Sequence, residues 1–263
     1  MVTSFVYTKT RKNQTRKTRM SIEKSIIKDI SFLSDGFKLK GYLHLPSTDR
    51  PPVVIGSHGL YSSSSSPKQI ALADQCNRLG IAYFRFDHRG CGNSEGKFEE
   101  VTSLEARCRD LADAVAAITG RSDTGDRFGL FGSSMGGAVC LSVACELGAD
   151  TLVTFAAPIR SRILENELPL SENSDIPGIF LDTQKRRFDI SDRLPVICNI
   201  LVFHGEADDV VPVSHAEEIY GFVKPPKKLI KQKQGDHPMS NEAHQKTFIK
   251  EASLWFNQGL TTT

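Results

Sequence analysis

Five residues, Gly132-Ser133-Ser134-Met135-Gly136, constrain this chain more than any other stretch. They fit the pattern G-x-S-x-G, in which a serine sits alone on a sharp turn between a strand and a helix. The flanks suit that context. Arg127-Phe128-Gly129-Leu130-Phe131 reads as a short buried strand, and Ala138 to Leu147 reads as a helix of small residues closed by Gly148. A serine hydroxyl is a weak nucleophile, so the turn has a chemical use: it carries the oxygen clear of the backbone and toward a base. Glycines at 132 and 136 let strand and helix approach where a side chain would clash. Small residues also make ordinary strand-to-helix turns, so the pentapeptide needs support from the rest of the chain.

That support begins with the order of the elements. Ile26 to Leu33 and Phe37 to Leu45 read as a hairpin across Ser34-Asp35-Gly36. Short apolar runs at Val53 to Gly56, Ile81 to Phe86, Thr151 to Phe155, Asn199 to Phe203 and Lys227 to Lys231 read as strands. Helical spacing covers Ile70 to Leu79, Thr102 to Ile118, Val213 to Phe222 and Asn241 to about Asn257. Strands alternating with helices predict an α/β fold with a mainly parallel sheet covered on both faces. Ile159 to Ile197 breaks the alternation with mixed charge and Pro169, Pro177 and Pro195. A structureless loop of that length is unusual in a compact domain, so it reads as an inserted lid with short helices of its own.

Length and composition set bounds. A chain of 263 residues with this alternation is expected to form one domain. No run approaches the roughly 18 apolar residues of a membrane span, and the N-terminus has no apolar signal core. The six cysteines contain no C-x-x-C pair, so reduced thiols and a cytoplasmic location are the expectation, with no zinc site. Residues 1 to 19 hold six of the 33 Lys and Arg residues and no acid, which leaves 27 basic against 31 acidic residues beyond them. They read as a disordered basic extension, either solvated or preceding a start at Met20, or else a contact for nucleic acid or an anionic surface or a presequence; the folded part is not expected to bind nucleic acid. Ser62 to Ser66 read as a flexible polar loop.

A serine nucleophile needs a base, and the base needs an acid to orient it. In a parallel α/β sheet the loops at the carboxyl ends of the strands form the crevice where such groups converge. Asp208 follows one late strand and His237 the next, and the order Ser134, Asp208, His237 is the one expected with this elbow. Asp209 is the nearest rival to Asp208, and Ser133 to Ser134, although Ser133 lacks the flanking glycine spacing. Of the other histidines, His44, His88, His215 and His244 read as surface or packing residues. His58 and His204 each precede a glycine at a strand end and read as fixing local backbone. The glycine-rich run Asp87 to Gly96 lacks the Gly-Lys-Ser/Thr ending of a phosphate-binding loop, so Asp87 and Arg89 are expected to pair and hold it beside the site.

Four ordered segments then resemble the α/β-hydrolase superfamily: His58-Gly59, Asp87-x-Arg89-Gly90-x-Gly92-x-Ser94-x-Gly96, the elbow, and His204-Gly205-x-x-Asp208-x-x-Val211-Pro212 with His237 beyond. The likeness runs from about Ile26 onward. It is nearest to small lidded esterases and lipases, such as monoacylglycerol lipases and cinnamoyl or feruloyl esterases, and to related serine peptidases. The resemblance implies an eight-stranded sheet whose first paired strands are antiparallel. It also implies an oxyanion hole made by the backbone N–H groups of Leu60 and Met135, and an acyl substrate handled without metal or organic cofactor. Thioester, amide and acyl-transfer chemistry share the same intermediate. A non-catalytic binding protein of this fold is the competing expectation, which a complete serine, histidine and aspartate set argues against.

Overall fold

The computed structural model describes residues 26–161 and 187–261. The basic extension and most of the expected lid therefore lie outside the described residues. The chain enters as a hairpin, β1 (Ile26–Ser34) against β2 (Phe37–Leu45), with Ser34 opposite Phe37. Asp35 and Gly36 between them take φ of 47° and 84°, the positive values that let a two-residue turn follow the strands' twist. Alternation along β2 buries Leu39, Leu43 and Leu45 and leaves Lys38 and Lys40 exposed.

Six further strands follow: β3 (Val53–Ser57), β4 (Ala82–Phe86), β5 (Phe128–Ser133), β6 (Thr151–Phe155), β7 (Ile200–Gly205) and β8 (Lys227–Gln232). The sheet order is β1-β2-β4-β3-β5-β6-β7-β8. β2 meets both β1 and β4 antiparallel, and every other pairing is parallel. The central strands are buried along almost their whole length because helices cover both faces. β8 lies at an edge, and its lysines keep that edge polar.

The helices are α1 (Pro67–Arg78), α2 (Phe98–Val101), α3 (Leu104–Thr119), α4 (Met135–Leu147), α5 (Ser214–Phe222) and α6 (Glu242–Thr261). Leu111, Val115 and Ile118 of α3, Val139 and Leu141 of α4 and Ile219 of α5 share one core with one face of the sheet. Leu72 and Cys76 of α1 and Phe248, Phe256 and Leu260 of α6 fill the other. The four-residue α2 was too short to leave a helical period in the sequence. The described ends of the expected lid are core structure. Ile159 and Ile190 are tied by the Ile190 N–H to the Ile159 carbonyl (2.9 Å), and both are buried with Leu194 and Ile197 around a 3-10 turn, Ser191–Val196. Arg160 braces this junction by a two-point contact with Glu218 at 2.6 and 2.8 Å.

Candidate active site

Ser134 is the only residue between the end of β5 and the start of α4, and its backbone sits at φ 53° and ψ −123°. A side chain in that half of backbone space is strained, and it persists because the surroundings fix it. The Ser134 N–H donates to the Phe155 carbonyl (2.8 Å), and its own carbonyl accepts from Gly137 N–H (2.7 Å). The flanking glycines are required by close approach. A Cβ on Gly132 would strike the Gly136 carbonyl oxygen, and one on Gly136 would strike the carbonyl oxygen of Ser57. Gly137, outside the pentapeptide, is under the same constraint, since a Cβ there would come within 2.5 Å of the Ala157 methyl.

The turn presents the Ser134 Oγ to His237 Nε2 at 3.1 Å, and His237 Nδ1 lies 2.8 Å from Asp208 Oδ2. The other oxygen of Asp208 accepts the N–H groups of Val210 (3.0 Å) and Val211 (2.8 Å). Burial alone would raise the Asp208 pKa. Hydrogen bonds from His204, His237 and Val211 to the charged form outweigh it and hold the carboxyl well below its usual range. An ionised Asp208 fixes the His237 proton on Nδ1 and leaves Nε2 free to accept from Ser134. His204 donates from Nε2 to the Val211 carbonyl (2.8 Å), so it secures the loop that carries Asp208. The loops bearing Asp208 and His237 are laced together by Glu206 N–H to Gln232 O (3.0 Å) and Ala207 N–H to Gly235 O (2.9 Å). Asp209 is exposed, and the sequence-level rival Ser133 is the last residue of β5.

His58, Gly59 and Leu60 continue β3 alongside the elbow. A Cβ on Gly59 would stand 3.5 Å from the Ser134 Cβ, which shows how closely this segment passes the serine. Neither the Leu60 nor the Met135 N–H has an acceptor among the described residues.

Asp87 and Arg89 do not pair with each other, contrary to the expectation from sequence. Asp87 turns to backbone, accepting Ser64 N–H (2.6 Å) and Asn93 N–H (3.0 Å). Arg89 instead binds Asp110 through Nε (2.8 Å) and reaches Asp35 through Nη1 (2.9 Å). The polyserine loop is correspondingly anchored, since Ser64 is buried and its carbonyl also accepts from Arg85 (2.8 Å). Two buried charges on α3 went unread: Asp110, and Arg107, whose guanidinium reaches the carbonyls of residues 58 to 60. Both lie beside the apolar stripe of α3, where charge ordinarily marks the solvent side, so only their position next to that stripe hinted at burial. Lys68 was also missed. Its Nζ lies 3.6 Å from the centre of the Phe155 ring, and burial lowers its pKa to about 7 against the opposing pull of Asp208 and Asp236.

A second relay lies behind the first. Ser57 Oγ is 2.9 Å from His88 Nε2, and His88 Nδ1 is 3.2 Å from Asp110 Oδ2, all fully buried. Burial lowers the His88 pKa to about 4 and pushes that of His58 well down, so both rings are neutral in the fold. In the unfolded chain they take up protons near pH 6.5, so stability is intact above that value and is lost as the pH falls toward about 4. For His88 the slope is up to about 1.4 kcal/mol per pH unit across that window, and burial of His58 acts in the same direction. The urea midpoint is therefore expected to be lower at pH 5 than at pH 7.5, and an unchanged midpoint would contradict the neutral rings.

The chain as a whole is similar to known proteins. The profile of the family described as serine aminopeptidase, S33 matches residues 49–170. The protein YqkD of Bacillus subtilis is 30% identical over 232 residues, which span 82% of this chain and 74% of that protein. The mitochondrial palmitoyl-protein thioesterase ABHD10 of Mus musculus is 29% identical over 218 residues, 74% of this chain and 71% of that one. Among solved structures, the Pyrococcus furiosus esterase Pf2001 superposes with a TM-score of 0.76 at 20% identity, over 89% of this chain and 91% of that chain. The chain belongs to the α/β-hydrolase superfamily, a family of hydrolases. No helix among the described residues is long and apolar enough to cross a membrane.

Proposed function

We propose that the protein is a serine hydrolase that cleaves carboxylic esters through an acyl-enzyme, with Ser134 as nucleophile, His237 as base and Asp208 as its orienting acid. The observation that carries this reading is the unbroken chain of hydrogen bonds from Ser134 Oγ through His237 to Asp208. The Ser134 Oγ attacks the acyl carbon while His237 Nε2 takes its proton. The carbonyl oxygen gains the negative charge and is met by the N–H groups of Leu60 and Met135. The tetrahedral intermediate then collapses. The bond to the leaving oxygen breaks, His237 returns its proton to the alcohol, and the acyl group stays on Ser134. Water, deprotonated by His237, repeats the sequence and releases the acid.

Thioesters are the second reading, favoured by the named activity of the mitochondrial relative and requiring only a sulfur leaving group on the same path. A panel of matched p-nitrophenyl esters, acyl thioesters and aminoacyl anilides separates them. Turnover of the esters, lost in Ser134→Ala, is the expected result. Activity on the anilides alone would replace the ester assignment with a peptidase.

A further inference from the structure

Arg107 stands in the first turn of α3, fully buried, and none of its charge faces solvent. Its Nη1 donates to the carbonyls of His58 (3.3 Å) and Gly59 (3.4 Å), and its Nη2 to the carbonyl of Leu60 (3.0 Å). One guanidinium thus gathers three consecutive carbonyls of the segment that passes the Ser134 side chain. Contacts from Nε to Thr102 Oγ1 (3.2 Å) and from Nη2 to Cys91 Sγ (3.3 Å) help hold the fork itself in place. Only a planar group with five donors in a fixed array can meet that set, and a lysine ammonium cannot.

The consequence follows from peptide geometry. The carbonyl of Gly59 and the N–H of Leu60 belong to one planar trans peptide, so they point in opposite directions. The Gly59 oxygen is drawn inward by His58 Nδ1–H (2.7 Å) and Ser62 N–H (3.3 Å) as well as by Arg107. His58 is itself held in that tautomer, because its Nε2 accepts the His88 N–H at 3.1 Å. With the oxygen held inward, the Leu60 N–H is turned the other way, and it finds no acceptor among the described residues. We infer that Arg107 is a positioning residue that aims the Leu60 N–H at the oxyanion, an inference that rests on the serine-hydrolase reading above. The donor is oriented before substrate arrives, so no reorganisation is needed as charge develops.

Arg107→Met keeps an unbranched apolar stem as far as the Nε position while removing every donor. Losing an aimed oxyanion donor costs about 10²-fold or more in kcat, and that loss is expected here with KM changed by less than about threefold. The affinity of a simple arylboronic acid, whose tetrahedral adduct on serine places an oxygen in the same position, should fall in parallel. Arg107→Lys, able to reach one or two carbonyls, should be intermediate and should keep the wild-type melting temperature more nearly, so it decides the matter if the Met variant does not fold. In Arg107→Gly, guanidinium at a sub-denaturing concentration should restore part of kcat. A folded Lys or Met variant with wild-type kcat, or a loss confined to KM, would overturn the inference. If the wild type itself neither turns over esters nor reacts with a fluorophosphonate, the serine-hydrolase reading fails first, and the two failures are told apart.

Discussion

Turnover of a short p-nitrophenyl ester is expected to fall about 10⁶-fold in Ser134→Ala, the loss seen when the nucleophile of a serine, histidine and aspartate unit is removed. The size of the effect follows from the local geometry. Ser134 alone occupies the turn between β5 and α4, and its Oγ is the hydroxyl within hydrogen-bond reach of His237 Nε2 (3.1 Å). The adjacent Ser133 belongs to β5 and lies outside the turn, so it should not take over. Asp208→Asn should cost about 10⁴-fold, because an amide facing His237 Nδ1 can leave the proton on the wrong nitrogen. Asp209→Asn is the control: that residue is exposed, and turnover should stay within a few-fold of wild type. Steady-state kinetics on the purified variants measure all three. Equal losses at Asp208 and Asp209 would mean that the acid has been misassigned.

The second large effect is on Gly136. An added Cβ would collide with the Ser57 carbonyl oxygen and lie 2.7 Å from that of His58, both of them backbone atoms that cannot swing away. Gly136→Ala must therefore push α4 from the end of β3, at a cost of about 1–3 kcal/mol. For a chain of this size that lowers the melting temperature by roughly 2–4 °C per kcal/mol. Activity should fall further than stability, by about 10²-fold, because the same displacement moves the Leu60 segment relative to Ser134. Gly221→Ala is the matched control. Nothing lies within 4 Å of an added Cβ there, and the residue is in the last turn of α5, so alanine should stabilise by up to about 0.5 kcal/mol. Thermal unfolding of the pair separates helix propensity from the steric demand of the elbow.

How much of this could be read from sequence depended on the range over which each signal acts. Strand and helix positions follow from local periodicity, and Thr151–Phe155 was legible to the residue because five apolar or β-branched residues are bounded by Asp150 and Ala156-Ala157. Ser134, Asp208 and His237 were legible because each sits at the end of a strand in a fixed order, and the sheet brings those ends together. The partners of Arg89 were not. An Asp87 two residues away is the obvious mate along the chain, but its carboxylate is taken by Ser64 and Asn93 N–H groups, and the true partner comes from α3. Arg107 was hidden for a related reason. Three of its partners are backbone carbonyls, which every residue carries, and no side-chain pattern announces them. Prolines and charges dominate the stretch from Ile159 to Ile197 and disguise its edges, where four buried apolar residues, Ile159, Ile190, Leu194 and Ile197, belong to the core.

The proposed chemistry rests on one activated hydroxyl, that of Ser134. Intact-mass analysis after treatment with a fluorophosphonate tests it most directly, followed by peptide mapping of the adduct. The wild type should gain one phosphonyl group on the peptide carrying Ser134, and Ser134→Ala should gain none under the same conditions. A wild-type protein left unmodified, or a Ser134→Ala variant modified at the wild-type rate, would contradict it.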